Sequence, residues 1–293
     1  MKKLMAQALA GGLLLLAVLA LPSAVTAQAL PTPGQFVRNL DLRCYGIPNQ
    51  PPLNTNLRLD HLNPVLINLG LPFELVTLFE PQALCVPVQK DNQVPPPEAL
   101  PFIRYADLKC YRIAGPSIDV PLNLSQLNPV IAAKFGPNVQ VTVREPQQLC
   151  VPVAKNNMVP PPAIRQLISQ LDIKCYRVES NQVVGGNVNL THLNPLFSNT
   201  APENVQFAAQ APIQLCVPVA KNQQFPPANI RQIVQFADVL CYRIQGQPLN
   251  MQLTLNHLNP VLLNMGLPAE NVFVADTRKL CVPVAKNGVF PPG

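Results

Sequence analysis

The sequence has no tryptophan, and aromatic residues make up only 5% of it. Flat rings on which sugars could stack are therefore in short supply. Charge is scarce as well, at 12% of residues against 48% hydrophobic, which argues against a chain disordered throughout. No run of five basic residues exists, and the formal charge of +6 falls to +4 once Lys2 and Lys3 are set aside. A nucleic-acid footprint is not supported. Gly-x-Ser-x-Gly, His-Glu-x-x-His, phosphate-loop and calcium-loop motifs are all absent. So is any Cys-x-x-Cys pair, which removes the usual signature of a structural zinc site. The most apolar run, Leu13–Leu21, is short for a spanning helix and is broken by Pro22.

What the chain has instead is repetition. Leu-Cys-Val-Pro-Val-x-Lys-Asn occurs at Leu84–Asp91 (with Asp at its end), Leu149–Asn156, Leu215–Asn222 and Leu280–Asn287. Its cysteines, Cys85, Cys150, Cys216 and Cys281, are 65, 66 and 65 residues apart, so one unit is written four times. The segment ahead of the repeats reads as a secretory signal peptide over residues 1–29. It has a basic start at Lys2-Lys3, an apolar run, and small residues around Ala27 and Ala29 where cleavage would fall. No C-terminal anchor is evident, so a protein released into a periplasm or outside the cell is expected, with no stable membrane anchor. The repeats span 35–97, 98–162, 163–227 and 228–293.

Each unit has the same order of parts. Thirty-five prolines argue against long helices and for short elements and turns. A proline cluster (Pro95–Pro97, Pro160–Pro162, Pro226-Pro227, Pro291-Pro292) reads as a short, semi-rigid linker. One or two helical turns can follow it in repeats 3 and 4, whereas Pro101 argues against them in repeat 2. A strand then carries Asp-x-x-Cys-Tyr: Asp41–Tyr45, Asp107–Tyr111, Asp172–Tyr176 and Asp238–Tyr242. Arg follows the Tyr in three repeats, and Gly46 replaces it in the first. The middle block, Leu57–Pro64 and its counterparts, alternates apolar and polar residues and ends in Asn-Pro, a helix start with Asn63, Asn128, Asn194 or Asn259 as cap. A last strand leads through a turn into Leu-Cys-Val-Pro-Val. Its internal proline places that strand at an edge or a bulge, and the Lys after it reads as an edge-blunting charge. The expected fold is mainly β: four tandem repeats of ~65 residues, each stapled by a disulfide and carrying one short helix.

The eight cysteines, Cys44, Cys85, Cys110, Cys150, Cys175, Cys216, Cys241 and Cys281, fall two per repeat. In an exported chain such pairs form a disulfide framework. Pairing Cys44–Cys85, Cys110–Cys150, Cys175–Cys216 and Cys241–Cys281 leaves every unit complete. Joining neighbours instead, Cys85 to Cys110 onward, strands Cys44 and Cys281. Units this small gain from a staple, because ~65 residues bury little core. On that ground four self-contained modules are expected. His61, His192 and His257 share one repeat position, filled by Gln126 in repeat 2, and one imidazole per unit does not make a metal site. The recurring Asp residues stand alone at strand starts, as turn formers do.

The combination Asp-x-x-Cys-Tyr followed by Leu-Cys-Val-Pro-Val-x-Lys-Asn resembles an uncharacterised repeat domain of secreted bacterial proteins. The resemblance covers nearly all of Gln35–Gly293 and departs in the Leu-Asn-Pro centre. It implies tandem repeats and no particular activity. The expected function is a non-catalytic structural or binding module at or outside the cell envelope, with no cofactor and no metal, and an envelope or extracellular protein or polymer as partner. An enzyme or inhibitor with a site assembled between repeats is the alternative. Such a site needs residues unique to one unit, whereas the polar motif positions are shared.

Overall fold

A computed structural model describes residues 29–48, 50–71, 73–197 and 199–293. Residues 1–28, and with them most of the expected signal peptide, lie outside the described residues. Among the described residues there are fourteen strands and seven short helices. Repeat 1 contributes β1 (Leu42–Gly46), β2 (Thr55–His61) and β3 (Phe73–Lys90), and repeat 2 contributes β4 (Leu108–Ala114), β5 (Val120–Gln126) and β6 (Asn138–Lys155). In repeats 3 and 4 the long last strand is split, giving β7 (Ile173–Glu179), β8 (Val184–His192), β9 (Glu203–Gln210) and β10 (Gln214–Lys221), then β11 (Val239–Gln245), β12 (Met251–His257), β13 (Glu270–Val274) and β14 (Thr277–Lys286). The fold is mainly β, with a disulfide in every repeat.

The repeats do not sit side by side as modules. Each Cys-Tyr strand pairs antiparallel with the Leu-Cys-Val-Pro-Val strand of its own repeat and with that of the repeat before it. The order is therefore β1-β3-β4-β6-β7-β10-β11-β14. β14 pairs back onto β1, with Leu42 opposite Cys281, and closes an eight-stranded barrel. Eight strands leave an interior that side chains can fill. Closure removes the sheet edges that isolated two- and three-stranded units would expose.

The remaining hairpins are arms that wrap the outside. The arm of repeat 1, β2 with the start of β3, lays Leu57, Leu59, Val76 and Leu78 over Tyr111, Ile113, Leu149 and Val151 on the outer face of repeat 2. The arm of repeat 4 covers Tyr45, Leu84 and Val86 of repeat 1 in the same way. Each arm then reaches further, to the repeat diagonally opposite. His61 pairs with Val219, Gln126 with Val284, His192 with Val88, and His257 with Val153. No repeat keeps its apolar surface to itself, so the expectation of self-contained modules is corrected. Their cores are shared with the next repeat and their strand edges with the opposite one.

This arrangement explains the proline in Leu-Cys-Val-Pro-Val, which is neither on an edge nor at a bulge. On one flank, β3 pairs with β4 as far as Cys85 opposite Leu108, and with β8 from Val88 opposite His192. Pro87 sits at the changeover, where no donor is needed, while its carbonyl accepts the Leu193 N–H at 3.0 Å. Pro152, Pro218 and Pro283 accept from Leu258, Leu62 and Leu127 in the same way. The Lys-Asn pair after it enters a tight turn in which Asp91, Asn156, Asn222 and Asn287 have positive φ, a conformation that Asn and Asp tolerate.

Each repeat holds two short helical elements rather than one. The first set, α1 (Pro33–Val37), α3 (Leu100–Ile103), α5 (Pro162–Ile168) and α6 (Ala228–Val234), covers one end of the barrel. Pro101 is tolerated in α3 because it lies in the first turn, where the missing N–H has no intrahelical partner. The second set, α2 (Pro64–Asn68), α4 (Pro129–Phe135) and α7 (Pro260–Asn264), is capped by Asn63, Asn128 and Asn259, as the Asn-Pro signal implies. Repeat 3 forms only a 3-10 turn, Pro195–Phe197. The proline linkers are docked rather than free, with Pro95, Pro160, Pro226 and Pro291 buried. Pro291–Gly293 seats on α1, where the Gly34 N–H donates to the Pro292 carbonyl at 2.9 Å. A Cβ on Gly34 would lie 2.3 Å from the Gly293 carbonyl oxygen, so only glycine fits there.

The disulfides join Cys44–Cys85, Cys110–Cys150, Cys175–Cys216 and Cys241–Cys281, with Cα atoms 3.8–3.9 Å apart across directly opposed residues of paired strands. They face inward with Leu42, Leu108, Ile173 and Val239 and form a belt beneath the helices. Adjacent disulfides touch, Cys85 Sγ lying 3.6 Å from Cys110 Sγ and Cys216 Sγ 3.7 Å from Cys241 Sγ. A belt shared by all repeats makes the staple of one the support of the others. Replacing Cys241 and Cys281 by Ser should cost ~4 kcal/mol, the loop-closure value for ~40 residues, as one cooperative loss. Native-state hydrogen exchange should then show the amides of Cys44–Tyr45 losing as much protection as those of Cys241–Tyr242. Loss confined to repeat 4 would contradict a shared barrel.

Candidate functional site

The charged motif residues are almost all buried, and they are spent on one another. Lys90, Lys155, Lys221 and Lys286 are not edge-blunting charges: each is at most 2% exposed and paired with Asp41, Asp107, Asp172 or Asp238 of its own repeat. Burial raises these aspartates and lowers these lysines from their ordinary values, and the mutual attraction of each pair opposes it. The same carboxylates hold the helix caps. Asn259 Nδ2 donates to Asp172 Oδ2 at 2.6 Å, Asn194 to Asp107 at 2.7 Å, and Asn63 to Asp238 at 2.8 Å. The recurring Asp is thus a buried junction and not a turn former. It ties the strand of one repeat to the arm of the following one.

A second recurring cluster joins opposite repeats. The Tyr176 hydroxyl meets His61 Nε2 at 3.0 Å and donates to Glu74, which also takes the Lys174 amine. His61 and Glu74 come from repeat 1, Lys174 and Tyr176 from repeat 3. Burial works against the Glu74 carboxylate, but the bonds from His61, Lys174 and Tyr176 outweigh it and hold its pKa at about 2. Burial lowers Lys174 to about 8. Repeats 4 and 2 build the same cluster, with Tyr111 3.1 Å from His257 and Lys109 paired to Glu270. Repeats 3 and 1 build it with Tyr45 2.9 Å from His192 and Arg43 2.7 Å from Glu203. Burial keeps the three imidazoles neutral, their pKa values lowered in every case.

The fourth corner shows what these clusters do. Its histidine is replaced by Gln126, which donates to the Tyr242 hydroxyl at 2.8 Å. Its lysine is replaced by Leu240, which is fully buried. Val139 stands where the other arms have Glu74, Glu203 and Glu270, opposite Leu124 as those glutamates lie opposite Leu59, Leu190 and Leu255. Acid, base and histidine are lost together, as a buried ion pair requires, because either charge alone would be costly. A set that can be replaced wholesale by Gln, Val and Leu holds the fold. Among the described residues no group of three or more His, Cys, Asp and Glu side chains could hold a metal ion.

One place escapes this bookkeeping. At the end of the barrel away from the helices, two residues beyond each disulfide, the inward-facing pairs are Gly46 with Ala83, Arg112 with Gln148, Arg177 with Gln214, and Arg243 with Lys279. They surround the mouth of the barrel, which holds a cavity of 770 Å³. Lys279 is 4% exposed. It donates to the side-chain carbonyls of Gln148, at 2.7 Å, and Gln214, and has no carboxylate partner among the described residues. Burial alone pushes its pKa down to about 7. Lys279 is particular to its unit, whereas the Arg is shared by three repeats and the Gln by two, so polar positions are shared only in part. Lys279 lies just ahead of the Leu-Cys-Val-Pro-Val motif, so a search for shared residues passes over it. A wider groove on the arm of repeat 2, lined by Asn123, Asn138 and Gln182, is open and has no buried charge.

No family model, curated protein or solved structure matches this chain. The geometry of the site therefore carries the argument alone.

The opposite-repeat cluster makes a quantitative prediction. Glu74→Gln leaves Lys174 buried without its counter-charge and should cost ~3 kcal/mol. Adding Lys174→Leu recreates the neutral corner of Gln126 and Leu240 and should bring stability back to within ~1 kcal/mol of the parent. Urea unfolding of the two variants checks it, and a double mutant as weak as the single one would refute the coupling.

Proposed function

We propose that this protein is an exported, non-catalytic module that binds a partner at or outside the cell envelope. The supporting observation is how its reactive groups are used. The recurring Lys, Asp, Glu, His and Tyr side chains are buried in pairs and clusters that join the repeats, and all eight cysteines are in disulfides. None is left as a nucleophile beside a free base. Four disulfides suit an oxidising compartment. Among the described residues no helix is long and apolar enough to cross a membrane. The apolar start of the chain and the small residues around Ala27 and Ala29 support export, and the resemblance to secreted bacterial repeat proteins points the same way. The mouth cavity is assembled between repeats, as an enzyme or inhibitor site would be. Its one lining carboxylate, Glu80, is already held by Arg112 at 2.6 Å. That favours binding over turnover.

The test is to recover the protein from its own cell envelope, sequence its N-terminus and identify what co-purifies, with a panel of hydrolase substrates run beside it. Expected are a start at Gln28 or Leu30, a reproducible envelope partner and no turnover. A chain that still begins at Met1, or that hydrolyses a substrate catalytically, would refute the proposal.

A further inference from the structure

The mouth of the barrel repeats a simple rule and then breaks it. The rule is that the Arg after each Cys-Tyr is held by an acid of the preceding repeat. Arg112 donates to Glu80 at 2.6 and 3.0 Å. Arg177 donates to Glu145 at 2.6 Å and to Glu179 at 2.7 Å. In repeat 4 the rule fails, because Ala211 stands where Glu80 and Glu145 would be. Arg243 is exposed, and among the described residues no carboxylate lies within ion-pair reach of it.

Beside Arg243 on the same inner face is Lys279, the buried amine without an acid. Gln148 and Gln214 satisfy two of its three donors. Their own amide nitrogens are turned away from it, to Gln82 at 3.0 Å and Gln147 at 2.7 Å. A third donor at the mouth is also unmatched: the side-chain nitrogen of Gln210 is inaccessible to solvent and has no acceptor among the described residues. All three groups line the 770 Å³ cavity. Space for it comes from repeat 1, where Gly46 and Ala83 take the places that Arg and Gln fill elsewhere. Arg278 crosses over Gly46 and is held by Asp276 at 2.7 Å, so it is not part of the surplus.

We propose that the mouth of the barrel binds a small organic acid, whose carboxylate lies against Arg243 and Lys279 and takes the place of the glutamate that repeat 3 lacks. This deepens the binding-module reading and rests on it. Surplus positive charge excludes a cationic ligand or a metal ion. The disulfide belt beneath the mouth limits the ligand to a small molecule or one end of a larger one. A planar carboxylate is favoured over other anions because a carboxylate fills this position in repeats 1 and 2, and Arg112 takes that of Glu80 in a forked contact.

The test is calorimetric titration of the full mature chain with citrate, with inorganic sulfate at matched ionic strength and neutral glycerol as comparisons. Citrate should bind and glycerol should not. Arg243→Gln and Lys279→Gln should each weaken citrate by at least about tenfold. Arg38→Gln, at the far end, should leave it unchanged. Gln is native at the Lys279 position in repeats 2 and 3, and Arg243 is exposed, so both variants should fold. Absence of citrate binding, sulfate binding as tight as citrate, or binding unchanged in both variants would overturn the assignment. If citrate fails while an envelope partner is still captured, the mouth assignment falls and the binding-module reading stands.

Discussion

The fold depends on main-chain pairing between repeats that lie diagonally across the barrel. Each Leu-Cys-Val-Pro-Val strand runs past the end of its barrel neighbour, which leaves its backbone groups without partners on that side. Unpaired buried backbone groups are costly. The arm of the opposite repeat covers them, Val88 to Lys90 pairing with Leu190 to His192 and the other three junctions likewise. Proline is placed where one neighbour gives way to the next. The Tyr–His–Glu–Lys clusters and the Lys–Asp–Asn junctions sit beside these pairings and fix their register.

Buried ion pairs are a poor source of stability, since desolvation consumes most of the attraction. Their recurrence here is better understood as specification. Four near-identical units could pair in several ways, and a charge in the wrong partner's pocket would be stranded without its counter-ion. The neutral corner of Gln126, Val139, Tyr242 and Leu240 shows that the charges are dispensable as a set but not singly. It also gives the ring one distinct corner.

Much of the fold was legible in the sequence, because a repeat is legible. Strand and helix positions followed from the alternation in Leu57–Asn63 and from Asn-Pro, and the cysteine spacing pointed to pairing inside the repeat. What could not be read was the closure. A period of ~65 residues is compatible with beads, a solenoid or a ring, and no local signal separates them. Lys90 looked like a surface charge because its partner Asp41 lies 49 residues away in the sequence. Lys279 and the missing acid at Ala211 escape notice for the opposite reason: attention to what the repeats share hides what one repeat alone has.

The most direct test of interlocking is to express residues 30–162, two complete repeats with both of their disulfides, as a separate chain. If the repeats share one barrel, this half has lost both opposite-repeat arms and the closing pairing of β14 on β1. It should then show no cooperative thermal transition by circular dichroism. A cooperative transition in the isolated half, with protected amides in Leu84–Val88 and Leu149–Val153, would contradict the account.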